Sequence, residues 1–387
     1  MALADRPYRF GFLLNTTIGN MTRYINLRKY AERDDEVACT WAPVSHYTPP
    51  ELRTALRLLP EPLFMRARLL QQAMPVLGRL HRFDAVMIHL FEADILSALR
   101  GYFCSKPVRI VSTDEAPITN RDTHPLYPQE LAKGVWRSNM RLALDRWRIR
   151  RTDYFIPFSH WVAGNLTECG APKERVYPLH VGLDLDIWTS APRLAGRSGD
   201  RVKILFVGAD FDRKGGALLL EVFNSHFRDR AELHLVTKQA PESLPAHVHV
   251  YADFEPNDHR LVSLYSQADM LVVPTTADTG PLWVFMEAMA MRLPIIGTDT
   301  GANTELLRHG ETGFVVKIGN GEALTTAIDS LVDDPGKRRA MGERGRALIE
   351  TKYSARVNVP LIIRAMKDVV DASRRPLIDS TRRGSAR

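Results

Sequence analysis

Short apolar runs of strand length alternate along this chain with longer stretches of helical periodicity. Near the N-terminus RFGFLL reads as a strand, NTTIGN as a polar turn, and MTRYINLRKYAE as a helix. VACTWAPV is a second strand, and AVMIHL, VRIVST and YFIPFS are three more, separated by helical text. Such alternation predicts parallel strands joined by crossover helices.

After DLDIW the text turns to TSAPRLAGRSGDR, which has no periodicity and little to bury, and reads as a linker. The alternation then restarts: strand VKILFVG, a Gly-rich turn, helix ALLLEVF, strands ELHLVT and HVHVYA, helix HRLVSLYSQA, strand MLVVPT, helix PLWVFMEAMAM and strand LPIIGT. Two doubly wound α/β domains facing across a cleft are expected, with ligands at the carboxyl ends of the strands. A last helix lies around VPLIIRAMKDVV, and the tail RRPLIDSTRRGSAR is too polar and basic to pack.

Composition narrows the partners. With 387 residues, 45% of them apolar, two domains are the natural division. Cys39, Cys104 and Cys169 lack the spacing of a zinc site or disulfide framework, and the start MALADRPYRFGFLLNTT lacks a secretory apolar region. No stretch reaches the roughly 20 apolar residues of a membrane helix, so a cytoplasmic location is expected. The net charge of +7 favours anionic partners. Nucleic acid is not among those expected, because the basic residues are not interleaved with stacking aromatics and no finger, zipper or RNA-binding signature occurs.

Anion chemistry concentrates in the second half. VGADFDRKGG opens a helix directly after a strand, so backbone amides and the positive helix end face the cleft. Gly208, Gly215 and Gly216 allow close approach and Arg213 and Lys214 add charge; the set is either a diphosphate clamp or an ordinary turn with a solvated basic pair. The spacing is neither a Walker loop nor a dinucleotide fingerprint. Glu287 sits in the apolar helix that begins near Pro281, where a carboxylate is costly unless paired; a ribose diol or a neighbouring backbone would each satisfy it. Gly301, followed by a helix starting near Asn303 or Thr304, supplies another amide-rich turn.

In order along the chain, FVGADFDRKGG, VVPTTADTG, MEAMAMRLPII, TGANTELL and HGETGFVV resemble the C-terminal domain of the retaining GT-B glycosyltransferases of family 4. PFSHWVAGNLTECGAPKERVYPLHVGLDLDIW is similar to that family's crossing into the linker, and the first 150 residues resemble it only loosely. The resemblance implies a GT-B fold: residues 1–188 an acceptor-side Rossmann-like domain, 189–201 a linker, 202–352 a nucleotide-sugar domain, 353–374 a helix packing back on the first domain, and 375–387 a basic tail.

It also implies a retaining transfer from a nucleoside-diphosphate sugar to a hydroxyl of a glycan, lipid-linked or small-molecule acceptor. Lys214 matches the diphosphate lysine and Glu287 the ribose acid, with Arg213 sharing the charge because Ala209 stands where many members carry arginine. The family's other acid would fall at Thr279, one residue after Asp278. Asp278 reaches the donor sugar if the extra residue bulges outward, and Thr279 is the contact otherwise; Gly280, Pro281 and Leu282 complete this donor-binding loop. Gly19 and Asn20 match the flexible loop of the first domain, and Asp114 is the candidate at the reaction centre, with His89 a second.

The DLD of Asp184 to Asp186 has the form of a metal-binding triplet, but its place in the linker-crossing segment reads as structural. With phosphates met by Lys, Arg and amides, no metal or other cofactor is expected. The shifted acid and Ala209 leave open a donor-binding subunit without efficient transfer. Leucine–arginine stretches at residues 52–83 and in RLALDRWRIRR leave open peripheral contact with an anionic membrane on its cytoplasmic face, against plain packing on the sheet.

Overall fold

The computed structural model describes residues 7–17, 19–45, 61–89, 107–114, 135–189, 201–254, 257–278 and 283–374. The first half contains β1 (Tyr8–Asn15), α1 (Asn20–Ala31), β2 (Val37–Val44), α2 (Glu61–Leu77), β3 (Ala85–His89), β4 (Val108–Val111), α3 (Val135–Arg150), β5 (Tyr154–Phe155) and α4 (His160–Glu168). Its five strands are parallel in the order β2-β1-β3-β4-β5. The period of two along β1 sorts its side chains between two cores. Phe10, Phe12 and Leu14 face a cluster with Leu27 and Tyr30 of α1, while Leu13 packs with Leu69, Ala73 and Val76 of α2. Gly11 lets α2 close on the sheet, since a Cβ there would stand 2.7 Å from Val86 and 2.9 Å from Val76.

The second half contains β6 (Val202–Val207), α5 (Gly216–His226), β7 (Ala231–Val236), β8 (Val248–Tyr251), α6 (His259–Gln267), β9 (Met270–Val273), α7 (Trp283–Ala290), β10 (Ile295–Thr298), α8 (Asn303–Leu306), β11 (Gly313–Val316), α9 (Gly321–Val332) and α10 (Pro335–Lys352). These strands are also parallel, in the order β11-β10-β9-β6-β7-β8. Trp188, fully buried, belongs to this second core, stacking edge-on against Tyr265 and donating from Nε1 to Asn257.

The sequence reading passed over β11, α9 and α10. The two helices carry clear capping signals, with Asn320 and Asp334 accepting from the backbone amides of Ala323 and Lys337. The chain ends its described path in α11 (Ala355–Arg374), whose Val359, Ile362, Ile363, Met366 and Val370 join the core of Phe10 and Phe12. Residues 190–200 of the expected linker 189–201 and the tail from 375 lie outside the described residues. Among the described residues, no helix is long and apolar enough to cross a membrane.

Both strand orders have a point where the direction of winding reverses, between β1 and β3 in the first sheet and between β6 and β9 in the second. At such points the loops on either side diverge and leave a crevice beyond the strand ends.

Candidate active site

The second crevice is built by the turn after β6 and the loop after β9. Gly215 adopts φ 79°, and a Cβ there would stand 2.2 Å from the Pro274 carbonyl, so only glycine lets the turn press against the end of β9. Gly208 makes room in the same way for the Lys214 stem. Lys214 is thereby directed across the winding reversal to Asp278, with Nζ 2.8 and 2.9 Å from the two carboxylate oxygens. Thr275 Oγ1 donates to the same carboxylate at 2.7 Å, and Arg213 Nη1 lies 3.4 Å from it while donating to the Ala277 carbonyl at 2.9 Å. Arg213 Nε also donates to Asp210 at 3.0 Å.

The sequence placed Lys214 and Asp278 on different parts of a donor; here each is the other's nearest charged partner. Burial, which pushes the lysine pKa below its usual range against the pull of Asp278, is the physical reason a counter-charge is needed. Thr279, Gly280, Pro281 and Leu282 lie outside the described residues.

Glu287 lies one turn into α7, 7% exposed, and its Oε2 accepts from Tyr265 Oη at 2.8 Å. The neighbour that satisfies it is therefore a buried phenol of α6 and not a backbone amide. Burial raises this carboxyl to about 7, with the Tyr265 hydrogen bond opposing the rise. Oε1 makes no hydrogen bond among the described residues. Gly301 sits at φ 55° ahead of α8, which is a single turn, so the helix dipole expected there is short. The same turn ties the two halves together: Glu305 accepts from the backbone amides of His160 and Trp161 at 3.2 and 2.8 Å, at the start of α4.

The first crevice faces the second through α7. A Cβ on Gly19, at the head of α1, would stand 3.0 Å from Trp283, and His180 lies edge-on to Trp283 with centroids 4.9 Å apart. His89, at the end of β3, lies 3.0 Å by Nε2 from Asp114, whose carboxylate accepts the ring proton. Burial alone would raise Asp114, but the hydrogen bond and charge of His89 and the charge of Arg23 outweigh it and hold the carboxyl below its ordinary range. Among the described residues, His89 Nδ1 is buried without a hydrogen-bond partner, as is Asn20 Oδ1.

Arg23 is the largest departure from expectation. It is fully buried, donates from Nη2 to Ser112 Oγ at 2.7 Å, and stacks 4.2 Å over Phe158, yet Nε and Nη1 have no hydrogen-bond partner among the described residues. Burial, partly offset by Asp114, lowers the guanidinium to about 9. His180 packs on the same Phe158; its Nδ1 accepts from the Gly182 amide at 2.8 Å, which leaves Nε2 carrying the proton of the neutral ring with no acceptor among the described residues. Burial first, and then Arg23, pushes that imidazole down to about 3, so it stays neutral at physiological pH. The sequence reading missed both residues. A signal existed in α1, where Arg23 shares the buried stripe of Leu27 and Tyr30.

Asp184 is almost fully buried and accepts from Tyr30 Oη at 2.9 Å and from Lys29 Nζ, while Asp186 accepts from Arg356 at 2.9 Å. Both acids of the DLD triplet thus tie α1 and α11 to the crossing segment.

Comparison with known proteins adds to this geometry. Residues 192–348 match the family model described as Glycosyl transferases group 1. The chain is 32% identical, over 25% of its own length and 25% of the relative's, to the capsular polysaccharide biosynthesis glycosyltransferase CapM of Staphylococcus aureus. For the first three curated relatives the shared stretch spans 25%, 32% and 42% of their length, so the chain matches each over less than half. Whole-chain likeness appears in three dimensions. Sucrose-phosphate synthase of Thermosynechococcus elongatus superposes with a TM-score of 0.74 at 15% identity, covering 94% of this chain and 100% of that one. Anabaena HepE, solved in complex with UDP and glucose, gives 0.67 at 14% identity, covering 93% and 100%. The architecture is the GT-B fold of two Rossmann-like parallel-sheet domains.

Proposed function

We propose that this protein is a glycosyltransferase that moves a sugar from a nucleoside-diphosphate sugar to a hydroxyl acceptor, with retention at the anomeric carbon. The observation that carries the reading is the Arg213–Lys214 turn at the winding reversal of the second sheet, inside the segment that matches the glycosyltransferase family model. Departure of a diphosphate builds negative charge on its oxygens, and preorganised cations there lower the barrier more than uniform binding would. Lys214 and Arg213 meet that charge, Asp278 orients the lysine and the sugar, and the open oxygen of Glu287 receives the ribose diol. Neither a metal nor another cofactor enters this scheme.

The first crevice supplies the sugar and acceptor side. Arg23 and His180 offer buried N–H donors, while His89 Nδ1 and Asn20 Oδ1 offer acceptors. Hydroxyls, which both donate and accept, suit such a mixed set. Asp114 fixes the His89 tautomer, so the buried Nδ1 is left with the lone pair that would accept a hydroxyl proton. Same-face attack assisted by a donor phosphate oxygen is the expected route, and the anomeric configuration of the product tests retention directly.

One observation favours a second reading, a donor-binding subunit with little transfer: both oxygens of Asp278 are engaged by Lys214 and its neighbours. A thermal-shift panel of nucleoside diphosphates and sugar nucleotides, beginning with UDP and UDP-glucose because HepE was solved with UDP and glucose, tests the shared premise. Ligand binding to the native state raises the apparent Tm by mass action. No shift with any member overturns both readings, and a shift without transfer to any offered acceptor selects the second.

Contact with an anionic membrane on the cytoplasmic side belongs to the same proposal. A groove of about 580 Å³ beside α3 is lined by Ala143, Arg146, Trp147, Arg150 and Arg151, a mixture of cations and an aromatic that suits phosphate headgroups. Flotation with anionic liposomes at low and high salt decides it, and no binding at low salt removes a membrane-borne acceptor from the scheme.

A further inference from the structure

The geometry points to a transition-metal site of the zinc class on one face of the second sheet, formed by Glu232 and His234 of β7 and His249 of β8. The period of two along a strand puts positions 232 and 234 on the same side, and the parallel register sets His249 directly opposite His234. The ligand atoms of the three residues lie within 4.8 Å of one another. Two histidines and a carboxylate are a common zinc donor set that leaves a fourth position for solvent.

A second observation comes from His234 itself, which is only 8% exposed. Its Nδ1 lies 3.0 Å from Tyr251 Oη, and its Nε2 is buried without a hydrogen-bond partner among the described residues. With Nδ1–H donating to the tyrosine oxygen, Nε2 presents a lone pair toward the Glu232 carboxylate, 3.5 Å away. That is the arrangement by which an outer partner fixes a metal-binding tautomer. His249 is exposed, so an ion can enter without unfolding, and the same freedom lets the imidazole swing inward to meet bond lengths of about 2.0–2.2 Å. Lys203 stands in register with Glu232 on β6.

The alternative is a stacked pair with no ion, since the His234 and His249 rings lie 4.9 Å apart at 23°. Zinc titration of the chelator-treated full chain by calorimetry, with cobalt absorption as a second readout, separates the two. The expected result is one ion per chain, a tetrahedral cobalt spectrum, a raised Tm, and binding weakened at least ~10-fold in His249→Ala and in Glu232→Gln. His249 is exposed and Glu232 half-buried, so both variants should fold, which circular dichroism checks. Absence of zinc binding, or equal binding by wild type and both variants, overturns the proposal. The site is separate from the phosphate clamp, so its failure leaves the glycosyltransferase reading untouched.

Discussion

The two crevices solve opposite electrostatic problems. In the second, Lys214, Arg213 and Thr275 converge on Asp278, so each buried charge has a partner at hydrogen-bond distance. In the first, Arg23 and His180 keep buried N–H groups with no acceptor among the described residues, and His89 keeps a buried Nδ1 that none of them satisfies. A prepaired clamp must exchange one anion for another when a diphosphate arrives, so part of the attraction is spent on leaving Asp278. An unpaired set gains hydrogen bonds outright, because its cost is already carried by the fold. The contrast implies that stability and activity are coupled in the second crevice and opposed in the first.

The largest expected effect tests the coupled side. On the proposed transfer, Lys214→Ala removes the cation that would meet the departing diphosphate, and turnover should fall by ~10²–10³-fold, as for loss of a preorganised transition-state donor. It also strips Asp278, only 13% exposed, of its main counter-charge. Breaking such a pair from one side costs roughly 3 kcal/mol, readable as a lowered urea midpoint. Lys214→Ala combined with Asp278→Ala should recover most of that stability and none of the turnover. A single variant as stable as wild type would break the comparison.

Arg23→Met tests the opposed side and should give the reverse pattern. Methionine keeps much of the packing over Phe158 and removes a buried, half-paired guanidinium, so the urea midpoint should hold or rise. Transfer should fall by about 10²-fold if those N–H groups bind hydroxyls at the reacting centre. A large loss of stability with normal transfer would reduce Arg23 to a structural residue.

Much of the architecture was legible because parallel strands buried on both faces are written as short apolar runs, such as MLVV and AVMIH, between helical stretches. α10 was not, for a physical reason. Its buried side mixes Met341, Leu348 and Ile349 with Gly342 and Gly345, where added Cβ atoms would stand 2.1 Å from the Arg292 carbonyl and 3.0 Å from Met289, so close approach interrupts the apolar stripe. At the site, Lys214 and Glu287 stood out from motif order and from an acid in apolar text. The pairing of Lys214 with Asp278 did not, because it joins loops 64 residues apart through the β6–β9 neighbour relation. Arg23 and His180 were missed for a related reason: their role depends on a shared neighbour, Phe158, and on what they fail to touch.

The smallest effect concerns Glu287, which stands between the two patterns: Oε2 is held by Tyr265 and Oε1 is open. Its folded pKa of about 7 lies above the ordinary 4.5, so between those values the native state holds a proton that the unfolded state has lost. Stability relative to Glu287→Gln should therefore fall as pH rises from 4.5 to about 7 and level off above, by on the order of 3 kcal/mol in all. Urea titrations of both proteins across that range measure it. A ribose diol donates to the ionised form and so favours it, and nucleotide binding near pH 7 should release a fraction of a proton. Calorimetry in buffers of different ionisation enthalpy reads that release, which should vanish by pH 8.5, and Glu287→Gln should bind roughly tenfold more weakly, the loss of one charge-assisted hydrogen bond. Binding with no proton release and equal affinity in Glu287→Gln would instead make this acid a core residue held by Tyr265, and would move ribose recognition to another part of the crevice.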